Sequence, residues 1–246
     1  MRFLLLLPLL FTPLLAQAEP ANPGTVLRAF ELAGIRLLCE QSAPLIQRGL
    51  APAQQEQVAR EFAAEPLCAE LAERVAKQLD AAQVRQVEAL LASPLAQRFT
   101  AAEQVVGEPA GGEGLASYRE QLKAKPPRQE RLALVDRLDQ AAHTTELATL
   151  LRYETGKTQA LLTLRARGES LSEAALSQQT AQQAETLRAS SRQAVQSFML
   201  YAYRQMPSNE LSDYAGLYEQ DPVRLLLKAS VEALPALFAG RRAALR

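Results

Sequence analysis

Residues 207–238 read PSNELSDYAGLYEQDPVRLLLKASVEALPALF, and this stretch decides the fold. Leu211, Tyr214, Leu217 and Tyr218 recur at spacings of three and four, which places them on one face of an α-helix. Ser208 stands where it caps that helix, with Glu210 in the first turn beside the positive end of the helix dipole. Asp221-Pro222 reads as an N-cap followed by proline at the first helical position. Val223, Leu226, Leu227, Leu234 and Phe238 then form the stripe of a second helix, and Pro235 predicts a kink or an end near Leu234. Two amphipathic helices meeting at a proline corner make a hairpin whose inner face must be buried against another part of the chain.

A weaker copy of this grammar runs from Asp80 to Val106. Asp80 caps, Gln83 follows three residues later as in a capping box, and Val84, Val87, Leu90 and Leu91 make the stripe. Ser93-Pro94 repeats the corner, with Leu95, Phe99, Ala102 and Val106 on the next helix. The match needs one residue of slack and shares few identities, so two unrelated helix corners remain the competing reading.

Composition extends the helical pattern to the whole chain. Ala, Leu, Gln, Glu and Arg dominate the 246 residues, while β-branched and aromatic residues are scarce, which predicts an all-α protein. The 27 Lys and Arg balance the 27 Asp and Glu, so there is no basic excess of the kind nucleic-acid binding requires.

Residues 1–18 have the layout of a secretory signal peptide. Arg2 is the positive n-region, Phe3–Leu15 the apolar h-region, and Ala16-Gln17-Ala18 a small-x-small site with cleavage expected after Ala18. The apolar run is short for a membrane span and is interrupted by Pro8 and Pro13. A mature chain from Glu19, with no later spanning segment, is expected in the periplasm of a bacterium with two membranes.

In the N-terminal half, residues 19–106, Thr25 caps a helix carrying Val26, Leu27, Phe30, Ile35, Leu37 and Leu38, and Pro44 is expected to disrupt the helix beyond Cys39. Cys39 and Cys68 are the two cysteines, and in an exported chain they predict one structural disulfide. Residues 107–127 hold Gly107, Pro109, Gly111, Gly112, Gly114, Pro126 and Pro127 and read as a helix-breaking linker around a brief Leu115–Leu122 segment; a loop packed over one shared core is the competing reading. In the C-terminal half, residues 128–240, Thr144 or Thr145 caps one helix. Ser170-Leu171-Ser172-Glu173 is a capping box opening a long helix from Leu171 to about Arg204. A basic tail, 241–246, closes the chain. Its Arg241, Arg242 and Arg246 offer either a solvated end or weak contact with an anionic surface.

Candidate chemistry is sparse. His143 is the single histidine and lies in a turn before a helix. No Gly-x-Ser-x-Gly elbow, His-Glu-x-x-His pair, bundle Glu-x-x-His or phosphate-binding glycine loop occurs, so no catalytic residue, metal site or cofactor is assigned. Glutamates on exposed helix faces read as solvated partners of arginine, as Glu61 and Glu70 could be. Phe198, Tyr201, Tyr203, Tyr214 and Tyr218 gather in a chain otherwise poor in aromatics. They read as the core between a long helix and the hairpin, or as an apolar binding pocket whose hydroxyls need partners.

The run Glu210-Leu211-x-x-Tyr214-x-x-x-Tyr218-x-x-Asp221-Pro222, with Leu91-Ala92-Ser93-Pro94-Leu95-Ala96-Gln97-Arg98-Phe99, resembles the hallmark segment of a family of exported bacterial proteins. That family is catalogued as a domain of unknown function, with an acidic-Leu helix start and a Ser-Pro-x-Gly corner. The chain departs from it at Ala96 and Arg224, which occupy the glycine position, and at Asp221, which replaces serine. The resemblance covers about a quarter of the chain. It implies an all-helical fold and brings no catalytic residue with it.

The expectation is therefore an all-α, multi-helix bundle of two related halves with helix–proline corner–helix hairpins. Its expected role is non-enzymatic binding of a protein or other envelope component. A carrier of an apolar ligand or lipid using the tyrosine-rich half, and a hydrolase with dispersed carboxylates, are the alternatives.

Overall fold

The computed structural model describes residues 19–245, and every regular element in that range is an α-helix. The expected signal peptide and Arg246 lie outside the described residues. Glu19–Ala21 pairs with Leu79–Ala81: Ala21 N–H donates to Leu79 O at 3.1 Å and Ala81 N–H to Glu19 O at 2.9 Å. The chain then enters α1 (Pro23–Leu32), capped by Asn22, whose Oδ1 accepts from Gly24 N–H at 2.7 Å. Thr25, the cap expected from sequence, lies inside the helix, its hydroxyl bonded to Asn22 O. The single helix expected here is divided by Gly34, which takes φ 73° and turns the chain into α2 (Ile35–Gln47). Pro44 sits within α2 without ending it.

After α3 (Pro52–Glu61) and α4 (Ala64–Ala76) comes the first hairpin, α5 (Ala81–Leu91) and α6 (Pro94–Gly107). Its predicted signals are present. Asp80 accepts from Gln83 N–H at 2.8 Å, Gln83 Oε1 accepts from Asp80 N–H at 2.9 Å, and Ser93 caps α6. The expected linker is instead mostly helix, α7 (Pro109–Ala124). Glycine is tolerated there because it permits close approach. A Cβ on Gly111 would lie 2.0 Å from the Val105 carbonyl oxygen, and one on Gly114 would meet the Tyr201 hydroxyl.

Next are α8 (Gln129–Ala142) and α9 (Thr144–Ala166), which runs unbroken through Gly156. Neither Thr144 nor Thr145 caps α9. His143 occupies that position with φ 52°, and Asp139 accepts from the N–H and hydroxyl of Thr145, both at 2.7 Å. The long helix expected from Leu171 is two, α10 (Glu173–Thr180) and α11 (Gln183–Ala202). Its capping box is also displaced: Ser172 is the cap, accepting from Ala175 N–H.

The second hairpin is α12 (Ser208–Tyr218) and α13 (Asp221–Ala244). Ser208 and Asp221 are the first helical residues, not caps; Pro207 and Gln220 hold the cap positions without a side-chain capping bond. Pro235 lies inside α13, which continues to Ala244. The packing of both sides of the proline explains this: Leu234, Leu237 and Phe238 are all buried, so ending the helix would expose apolar surface worth about 1.5–3 kcal/mol per side chain.

One cluster of buried residues extends from Ala21 to Leu245, through both sequence halves. The hairpins meet crosswise, α5 against α13 and α6 against α12, while α13 also packs on α4 and α9. All five residues of the predicted α13 stripe are buried, as are Leu211, Tyr214 and Tyr218 of α12. Among the described residues, no helix is long and apolar enough to cross a membrane.

Candidate functional site

Helical spacing builds the tyrosine cluster from two facing elements. Tyr214 and Tyr218 stand one turn apart on α12, and Phe99 and Glu103 one turn apart on α6. Tyr203, just past the end of α11, closes the group. Tyr214 stacks on Phe99 with ring centroids 4.2 Å apart, Tyr203 tilts against Phe99 at 5.0 Å, and Tyr218 meets Tyr214 edge-on at 5.2 Å. The Tyr203 hydroxyl donates to Glu103 Oε1, the Tyr214 hydroxyl reaches the same oxygen at 3.4 Å, and Tyr214 and Tyr218 share a bond at 3.2 Å.

Burial raises the Glu103 carboxyl above its usual range, against the lowering effect of the two phenols. Burial first, and neighbouring charge second, hold Tyr203, Tyr214 and Tyr218 above the ordinary phenol value. These phenols are neutral hydrogen-bonding groups within the core. Glu103 escaped the sequence reading, although it continues the Phe99 face by one turn.

Tyr201 and Phe198 do not join this cluster. Both are half-buried; Tyr201 lies against Tyr118 at 5.4 Å, with the Arg204 guanidinium 4.0 Å over its ring. Beside that stack is an open groove of about 380 Å³. Tyr118, Pro127, Arg128, Arg131, Leu200, Arg204, Met206, Pro207 and Ser208 line it. Arg131 donates to Tyr203 O and Arg204 to Tyr201 O, so both satisfy carbonyls at the end of α11. Burial pulls the Arg131 guanidinium down from its usual value, with a smaller opposing influence from Tyr118. Arg128, Arg131 and Arg204 form no ion pair among the described residues. A second, shallow groove of about 480 Å³ follows the polar face of α11, where Glu185 accompanies Arg188 and Arg192.

The basic tail is the clearest correction to the sequence reading. Arg241 and Arg242 belong to the last turn of α13 and turn inward. Arg241 binds Glu70 at 2.8 Å and donates to the Glu61 and Pro66 carbonyls. Arg242 is 0 % exposed and binds Glu154 and Glu173, each at 2.6 Å, with Lys157 3.2 Å from Glu173. The sequence held the signal: Leu234, Phe238 and Arg242 recur at intervals of four along one face. Burial would raise the Glu173 carboxyl, but the bond to Arg242 and the charges of Arg242 and Lys157 bring it below its usual range. Two carboxylates do converge here, inside a packed ion cluster whose charges are held by each other.

His143 Nδ1 lies 2.7 Å from Glu146 three residues on, an exposed local contact. Cys39 and Cys68 are buried with their Sγ atoms 2.7 Å apart, longer than the roughly 2.05 Å of an S–S bond, so the expected disulfide is present here as a thiol pair. Contact with Cys68, and then burial, push the Cys39 thiol up. Among the described residues, no group of three or more His, Cys, Asp or Glu is placed to hold a metal ion. Compared with family models, curated proteins and solved structures, the chain matches none.

Proposed function

We propose that the mature chain is an exported, non-enzymatic binding protein of the cell envelope, working in the periplasm. One observation carries this reading. The converging acidic groups are taken up in structural bonds, Glu154 and Glu173 by Arg242 and Glu103 by the tyrosines, whereas an open groove lined by arginines has no counter-charge. A hydrolase needs an acid and a base reachable by substrate; a binding protein needs an exposed, chemically distinct surface. Export is supported by the layout of residues 1–18 and by the resemblance of the proline-cornered segments to an exported family. In an oxidising compartment Cys39 and Cys68 would join as the disulfide that couples α2 to α4.

The carrier alternative is not favoured. Tyr203, Tyr214 and Tyr218 are at most 7 % exposed and line neither groove. Crosslinking in intact cells with identification of captured envelope components tests the reading. Recovery of the chain in the cytoplasmic fraction rejects export, and turnover of cell-wall or phosphoester substrates that a single substitution abolishes rejects the non-enzymatic role.

A further inference from the structure

We infer that the groove between α7, α8 and the start of α12 binds a phosphate monoester through Arg128, Arg131 and Arg204. The inference deepens the binding-protein reading and rests on it. Charge is the first reason. The chain is neutral overall, yet the groove gathers three guanidinium groups and no carboxylate. Of the acids on the flanking elements, Glu210 pairs with Arg98 at 3.0 Å and Glu120 with Lys123 at 2.8 Å, and Glu130 in the first turn of α8 does not line the groove.

Preorganisation is the second reason. Arg204 is held over the Tyr201 ring and by the Tyr201 carbonyl, and Arg131 by the Tyr203 carbonyl, so less rotamer freedom is lost when a ligand arrives. Capping the end of α11 accounts for only part of what these side chains can do, since each guanidinium carries five N–H donors. The carbonyls they cap do not neutralise them.

Stoichiometry selects the ligand. One guanidinium satisfies a carboxylate by a two-bond fork, whereas a phosphate monoester brings close to two charges and three terminal oxygens to a site with three guanidinium groups. Tyr118, Leu200, Met206 and Pro207 supply apolar surface for the group that carries the phosphate. That group is either a small soluble ester or the glycerol of a lipid.

The test titrates the full mature protein with glycerol 3-phosphate by calorimetry and amide NMR, and measures co-sedimentation with phosphatidylcholine vesicles containing phosphatidic acid. Shifts confined to the groove are expected. Arg128→Gln, at an exposed side chain with no intramolecular bond to lose, should weaken binding about ten-fold, and Arg128→Gln with Arg204→Gln should abolish it. Vesicle binding lost in the double variant assigns a lipid headgroup; soluble binding without vesicle binding assigns a soluble ester. No binding of either probe, unchanged affinity in the double variant, or equal affinity for succinate overturns the inference. The two readings fail separately. Absent phosphate binding with a partner still crosslinked in cells removes this inference alone, and hydrolysis of the bound ester removes the non-enzymatic role while the site stands.

Discussion

Arg242 shows how one side chain changes the reading of a terminus. Arg242→Met should destabilise the protein by about 3–5 kcal/mol in urea unfolding, because Glu154 and Glu173 stay behind with Lys157 as their remaining cation. A change under about 1 kcal/mol would mean that the cluster is solvated in solution. Glu103 makes the opposite kind of prediction. Its folded carboxyl is raised, so the folded state holds its proton to higher pH than the unfolded chain does. Its contribution to stability is largest below the unfolded value and declines as pH rises through the folded one. Glu103→Gln should remove that decline, and its stability relative to the parent should improve as pH rises across this window. Glu173, held low, works in reverse: its contribution is present above the unfolded value and lost as pH falls through the folded one.

At the scale of elements, α7 decides between two views of glycine. Local propensity reads Gly111, Gly112 and Gly114 as breakers, each costing up to about 1 kcal/mol in a helix. The packing gives them different roles. Gly111→Ala would drive a Cβ into the Val105 carbonyl and should cost about 1–3 kcal/mol, whereas Gly112 has open space around it, so Gly112→Ala should stabilise by about 0.5–1 kcal/mol. Equal effects at the two positions in thermal unfolding would reject the close α6–α7 contact. The hairpins were far more legible. The Ser93-Pro94 corner, the Asp80–Gln83 box and most of the stripes come from periodicity and capping within a few residues, and the structure contains them; Leu90, Leu95 and Leu217 lie half-buried at the edge of the core. The caps at Ser208 and Asp221 slipped by one residue because either neighbour can end the extended approach to a helix.

Over the whole molecule, the shared core makes the thiol pair informative. Cys39 and Cys68 lie 29 positions apart and tie α2 to α4, both packed on α1. Closing a loop of that size should stabilise the chain by about 3.5 kcal/mol in the chain-entropy description. Material prepared under oxidising conditions, such as the proposed export would provide, should lose that increment on reduction and gain the mass of two hydrogens. A Cys39→Ala variant that unfolds at the same denaturant concentration as the oxidised parent would show that the pair carries no cross-link. The crosswise hairpin contact, α5 on α13 and α6 on α12, joins the two halves more closely than the glycine-rich segment between them suggests.

Helix class, most of the stripes and the caps at Asp80 and Ser93 came from the sequence alone, since apolar period and local caps act over one or two turns. Tertiary structure decided the features that depend on distant partners: the burial of Arg242 against α9 and α10, the three phenols gathered around Glu103, the glycines that let α7 approach α6 and α11, and the arginines assembled at one groove. The bond from Tyr203 to Glu103 spans 100 positions. No local pattern specifies such a pairing, because it exists only once the intervening helices have packed and excluded water.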